Sequence, residues 1–166
     1  GGAFAGGAAT ATDAGFAGNL ATTGRGGGLY ATQALVLSGA RFVSNTAQQA
    51  GGGAYAGGAA TAGGAAFERN RAVASSGGGL FVSAGAVIKD SAFTANTASA
   101  AGGGAFVGGD AEIDPTSFSG NAAALGGGLA VAGLWQRSAR HHPILHPVQG
   151  RCCNYQSNRP SHRIGN

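Results

Sequence analysis

The chain has 166 residues, with 34 Gly, no Met and charged side chains at only 10% of positions. Residues 1–133 contain five basic and six acidic side chains, and residues 134–166 contain five Arg and no acid. Residues 1–133 therefore lack the basic stripe that nucleic-acid binding requires, and no run of about 18 apolar residues predicts a membrane-spanning helix.

An internal repeat of 25 or 26 residues fills residues 1–133. A Phe-x-x-Asn unit recurs five times, beginning at Phe16, Phe42, Phe67, Phe93 and Phe118. A run of glycines ends 14 residues before each unit, at Gly2, Gly28, Gly53, Gly79 and Gly104. Length varies only between the Asn and the next glycine run, which predicts a loop there and in-register strands elsewhere. Because the chain lacks Met and opens inside a repeat, we expect a processed product or a piece of a longer protein.

Alternation of residue type predicts which way the strands of each repeat face. In the second repeat, Leu29 and Ala31 are expected to point inward. Leu35 and Leu37 follow the same rule, and Val36 between them points outward because a later repeat has Glu at its position. The pattern indicates two or three short strands per repeat.

These features predict an all-β fold, a right-handed parallel β-helix of about five coils over residues 1–133. The Phe residues are expected to stack in the interior. The Asn residues are expected to form an amide ladder at a turn, where Asn tolerates left-handed backbone geometry. The glycines are expected to permit a bend with positive φ.

The pairing of Phe-x-x-Asn with Gly-Gly-[Ala/Leu]-[Phe/Tyr] resembles the repeats of chlamydial polymorphic membrane proteins and related right-handed β-helix repeat proteins. The resemblance covers residues 1–133, and the paired motif recurs five times. It implies a secreted region with adhesion as its usual role. This sequence is richer in Ala and Gly than that family.

Residues 134–166 depart from the repeat and contain the single Trp, both Cys and all four His. We expect an irregular, disordered basic tail there, either a natural extension or the product of a frameshift, an unspliced intron or a gene-model error. Its adjacent Cys152 and Cys153, and its His141, His142 and His146, match no familiar zinc-binding spacing. No metal site is predicted.

Asp110, Glu112 and Asp114 form the one acidic cluster and should point outward from a single strand. Lys89, one coil earlier, is expected to stack on Asp114 as a surface ion pair. Catalysis by carboxylates and weak calcium binding are the alternatives, but the preceding coil offers no polar partner at the other two positions. We assign no catalytic residue, metal or cofactor.

An aromatic residue recurs shortly after the glycine runs. If its neighbours point inward, the rings point outward and form a candidate binding face for sugars or a partner surface. We favour the other interpretation, a register shifted at the glycine bend, which would place the rings in the core or under the loops. This column consists of Phe4, Tyr30, Tyr55, Phe81 and Phe106.

The predicted function is a structural or adhesive surface repeat region of an exported protein, outside the cell or at its surface, with no catalysis of its own. The expected partner is a host or neighbouring cell surface, presenting protein or glycan, and no nucleic acid is expected. The alternative is a fragment of a carbohydrate-active β-helix enzyme, a polysaccharide lyase or hydrolase, that lacks its catalytic coils.

Overall fold

The computed structural model describes residues 1–137, and this part of the chain is built only from β-strands and turns. Each strand has two to four residues and pairs in parallel with the equivalent strand of a neighbouring coil. The molecule is therefore a parallel β-helix of about five turns, as the repeat predicts.

Each of the first four coils contributes four strands, more than the two or three that alternation predicted. In chain order the strands are β1 (Ala3–Ala5), β2 (Ala9–Thr12), β3 (Gly15–Ala17), β4 (Leu20–Ala21), β5 (Leu29–Ala31), β6 (Leu35–Ser38), β7 (Arg41–Val43), β8 (Thr46–Ala47), β9 (Ala54–Ala56), β10 (Ala60–Gly63), β11 (Ala66–Glu68), β12 (Arg71–Ala72), β13 (Leu80–Val82), β14 (Ala86–Lys89), β15 (Ala92–Thr94), β16 (Thr97–Ala98), β17 (Ala105–Val107), β18 (Ala111–Asp114), β19 (Ser117–Ser119), β20 (Leu129–Val131) and β21 (Trp135–Arg137).

Four parallel sheets run along the axis, because each coil places its strands directly on those of the coil before. The first sheet has the order β1-β5-β9-β13-β17-β20, and the second has the order β2-β6-β10-β14-β18-β21. The third has the order β3-β7-β11-β15-β19, and the fourth, made of two-residue strands, has the order β4-β8-β12-β16. The predicted constant part of the repeat forms the first three sheets, and the variable part begins with the short fourth one.

The interior Phe stack is confirmed. Rings of successive coils lie 4.7–4.9 Å apart with interplanar angles of 3–8°. Phe42, Phe67 and Phe93 are buried completely or nearly so. The alternating Leu and Ala positions of the first two sheets also point inward, so the predicted facing of those strands is correct.

The Asn ladder is confirmed as well. The backbone N–H and the side-chain Nδ2 of Asn45 both donate to Oδ1 of Asn70, at 2.9 and 3.0 Å. The second proton of the Asn70 amide goes back to the carbonyl oxygen of Phe42, at 2.8 Å. The buried Asn96 and Asn121 and the partly buried Asn19 take part in the same pattern, so the amides of the ladder bond to their counterparts in neighbouring coils.

The sequence predicted that the Asn would adopt the left-handed conformation at this turn, and this is wrong. The residue that precedes the Asn adopts it instead. Ser44, Arg69 and Ala95 have φ of 54°, 53° and 54°, and Gly18 and Gly120 stand at the same position in their coils with φ of 65° and 62°. The Asn is retained for its side-chain amide rather than for its backbone tolerance.

The glycine triplet is required for backbone conformation and for close packing, which Gly51, Gly52 and Gly53 illustrate. Gly51 has φ of 70°, so the predicted bend is confirmed at the first glycine. A Cβ on Gly52 would collide with the backbone of Arg71. A Cβ on Gly53 would collide with the carbonyl oxygen of Gly79 in the next coil and would lie 3.1 Å from the ring of Phe67. The triplet therefore sets both the bend and the narrow interior.

Regular structure continues beyond the repeat boundary predicted at residue 133. Strand β21 pairs with β18, with Trp135 opposite Ala111 and Gln136 opposite Glu112. The rest of the predicted tail, with its Cys and His residues, lies outside the described residues.

Candidate functional site: the outward aromatic column

The aromatic column lies on the outer face of the first sheet. Leu80 and Val82, which flank Phe81 in β13, are completely buried. The ladder pairs Phe81 with Tyr55 on one side and with Phe106 on the other. Since neighbouring residues of a strand point to opposite faces, the rings point away from the core. The shift of register at the glycine bend, which we favoured from the sequence, is therefore wrong.

The rings of this column contact one another along the axis, but their orientation changes midway. Phe4 and Tyr30 lie 5.3 Å apart with an interplanar angle of 45°, and Tyr30 and Tyr55 lie 5.1 Å apart at 56°. Tyr55, Phe81 and Phe106 are stacked at 5.0 Å with angles of 6° and 17°.

Exposure also differs along the column. Phe4 is 69% exposed, whereas Tyr55 is only 6% exposed. Tyr30, Phe81 and Phe106 are partly buried. The turn at the start of each glycine triplet lies close to the backbone of this strand: a Cβ on Gly51 would be 3.0 Å from Cα of Tyr55.

Arg25 is the charged residue that contacts the column. Its Nη1 donates to Oη of Tyr55 at 3.2 Å, and its guanidinium carbon lies 5.1 Å from the centre of the same ring. Oη of Tyr55 also shares a hydrogen bond of 3.1 Å with Oγ of Ser83. These contacts connect the loop after β4 with β9 and with the residue that follows β13, outside the sheets. The sequence showed no signal for them, because Arg25 lies in the variable loop.

The acidic cluster is used structurally. Nζ of Lys89 pairs with Glu112 at 2.8 Å, so the expected pair with Asp114 is wrong even though Asp114 is the register partner of Lys89. Oδ1 of Asp110 accepts a hydrogen bond from the backbone N–H of Leu134 at 2.8 Å. Each of these two contacts is local to the second sheet and its preceding turn.

A shallow groove of about 380 Å³ runs beside this cluster on the second sheet. Its lining includes Thr61, Val87, Asp110 and Glu112. Within residues 1–137, no group of three His, Cys, Asp or Glu side chains is placed to hold a metal ion. The groove combines two carboxylates, each already bonded within the chain, with mostly small and apolar side chains, which gives it no convergent set of reactive groups.

Comparisons with protein-family models, with curated proteins and with solved structures found no match to this chain. In the part that the structure describes, no helix is long and apolar enough to cross a membrane. Function is therefore inferred from the geometry of the solenoid and its outward columns.

Proposed function

We propose that this chain is a structural or adhesive surface region of an exported protein, and that it acts by presenting the outward aromatic column to a cell surface. The partner would be protein or glycan on a host or neighbouring cell. The location outside the cell follows the resemblance to polymorphic membrane protein repeats and is part of the proposal.

The main support is the continuity of the column along the axis. Successive rings from Phe4 to Phe106 lie 5.0–5.3 Å apart over five coils, on a scaffold whose interior stack holds every coil in register. Solenoids typically use such extended, repeated surfaces for binding. Weak contacts repeated along one rigid axis add up when the partner is itself repetitive.

The proposal assigns the column a contact role and not a catalytic one. Phe and Tyr side chains supply large apolar area, and Tyr adds a polar tip, which suits recognition of sugars and of protein surfaces. The charged side chains at the second sheet already have partners within the chain. Lys89 pairs with Glu112, and Asp110 accepts a hydrogen bond from the backbone of Leu134.

Binding of beads that carry the full chain tests this function. The beads would be applied to an array of glycans, to extracellular matrix proteins and to cultured epithelial cells. A variant combining Tyr30→Ser, Phe81→Ser and Phe106→Ser removes the column, and a matched variant with Val36→Ser, Thr61→Ser and Val87→Ser changes the outward face of the second sheet. Circular dichroism checks that both variants remain folded.

We expect binding by the wild-type chain and by the second-sheet variant, and a severalfold loss for the column variant. Binding no stronger than that of beads with an unrelated folded protein would refute adhesion. Equal binding by the column variant and the wild type would move the contact to another face. Release of new reducing ends from a polysaccharide panel would instead favour the carbohydrate-active alternative.

A further inference from the structure

Tyr55 differs from the other rings of the outward column. It is 6% exposed, although it occupies the same position in its coil as the partly buried Tyr30 and Phe81. The tilt of the rings also changes at this residue, from 56° against Tyr30 to 6° against Phe81. A neighbour that contacts Tyr55 alone, and not the whole column, must therefore cause its low exposure.

That neighbour is Arg25, which lies over the ring and binds its hydroxyl. The guanidinium carbon is 5.1 Å from the ring centre, and Nη1 is 3.2 Å from Oη. A cation over an aromatic face is attracted by the ring quadrupole, and the planar guanidinium also covers the ring. Ser83 contacts the same hydroxyl from the next coil, at 3.1 Å.

Arg25 is bound to Tyr55 by few contacts and lies in a loop of variable length. It lies between Gly24 and Gly26, in the loop whose length varies from coil to coil. Its side chain is exposed, and neither ion pair of residues 1–137 involves it. An exposed contact of this kind exchanges readily with water, because its hydrogen bond is replaced by one to solvent.

We propose that Arg25 is a strap that closes over Tyr55 and interrupts the aromatic column. With the strap closed, Tyr55 is shielded, so the accessible rings lie in two groups on either side of it although the ring spacing is unbroken. When Arg25 swings away, the phenol of Tyr55 becomes accessible and the strip of rings is continuous. The biological use of this movement rests on the proposed adhesive function, but the movement itself does not.

Acetylation of tyrosine hydroxyls by N-acetylimidazole measures the strap directly on the full folded chain. After the reaction is quenched and the chain is denatured, tryptic cleavage at Arg41 and Arg69 places Tyr30 and Tyr55 in different peptides. Mass spectrometry then gives both rates in one sample, with Tyr30 as the internal reference. In the wild type we expect Tyr55 to react severalfold more slowly than Tyr30.

Arg25→Ala should raise the Tyr55 rate to about that of Tyr30 and leave the Tyr30 rate unchanged. Arg71→Ala removes an exposed Arg on the fourth sheet and serves as the matched control, with no change expected at either tyrosine. Ser83→Ala leaves the guanidinium in place, so Tyr55 should stay protected. An unchanged Tyr55 rate in Arg25→Ala would overturn the proposal, as would equal rates for both tyrosines in the wild type.

Loss of folding is distinguished by the Tyr30 rate and by circular dichroism, which would both change. The bead experiment then separates the two proposals. If Tyr55 protection depends on Arg25 but no surface binds the beads, the strap stands and the adhesive function fails. If the beads bind through the column and Tyr55 protection is independent of Arg25, the reverse holds.

Discussion

The chain contains two columns of stacked aromatic rings, one inside the solenoid and one outside. The inner rings lie 4.7–4.9 Å apart and are nearly coplanar, at 3–8°. The outer rings lie 5.0–5.3 Å apart, and their interplanar angles range from 6° to 56°. Both columns have the spacing that strand stacking imposes, so their difference must come from what surrounds them.

Enclosure explains the difference. The inner rings are confined between neighbouring rings and glycines that leave no room for a Cβ, so one residue type and one orientation fit. The outer rings have solvent on one side, and the column accepts Tyr, Phe and, in the last coil, Ala130. The regular spacing of the rings therefore arises from the backbone, whereas a regular orientation of the rings requires a closed interior.

The largest expected effect comes from truncating one ring in each column. Phe67→Ala should lower the free energy of unfolding by about 3–5 kcal/mol, because it leaves a cavity in a closed stack. Phe81→Ala should cost only about 1–2 kcal/mol, because part of that ring is already in water and no closed cavity forms. Urea unfolding followed by circular dichroism measures both, and equal losses would contradict the role given to enclosure.

The next largest loss of stability is expected from the amide ladder that borders the inner column. Asn70→Ala removes the acceptor for Asn45 and the donor to Phe42 and Asn96, so we expect a loss of about 3 kcal/mol, since each unsatisfied buried group costs 1–3 kcal/mol. Asn19→Ala is the control, because Asn19 is only partly buried and its side chain donates to Asn45 alone. A loss for Asn19→Ala as large as that for Asn70→Ala would show that the ladder is not the source.

Adding a hydroxyl group to one ring of each column tests the difference between the inner and outer columns in a second way. Phe67→Tyr should cost about 1–2 kcal/mol, because the interior offers the new hydroxyl no room and no free partner. Phe81→Tyr should be close to neutral, because the outer column already contains Tyr30 and Tyr55. The same unfolding experiment measures both changes. A neutral Phe67→Tyr would mean that the interior is looser than the ring stack indicates.

Most of the fold could be predicted from the sequence because the same pattern of residues recurs in five coils. The constant spacing from Gly53 to Phe67, and from its equivalents, identifies the strands and both aromatic columns. Strict alternation identifies the inward face, as at Leu35 and Leu37. A pattern that recurs five times leaves few alternatives for register, since a slip of one residue would turn every Leu outward.

Features confined to one coil could not be predicted. The contact of Arg25 with Tyr55 depends on a loop of variable length, and the pairing of Lys89 with Glu112 rather than Asp114 depends on side-chain reach and not on register. The fourth sheet was missed because two-residue strands are too short to show alternation. The left-handed position was assigned to the Asn, since the residue before it varies among Ser, Arg, Ala and Gly.

The smallest expected effect concerns that left-handed position, which precedes the Asn ladder. Ala95 has φ of 54°, and Gly120 stands at the same position one coil later with φ of 62°. A left-handed conformation costs an L-residue about 1–2 kcal/mol, and glycine avoids this cost. Glycine loses more conformational entropy on folding than alanine, which offsets about 0.5–1 kcal/mol of the gain. Ala95→Gly should therefore stabilise the chain by about 0.5–1 kcal/mol, and Gly120→Ala should destabilise it by a similar amount. Urea midpoints of the two variants should shift in opposite directions. A shift in the same direction would mean that contacts of the Ala95 methyl group, and not its backbone conformation, decide stability at this turn.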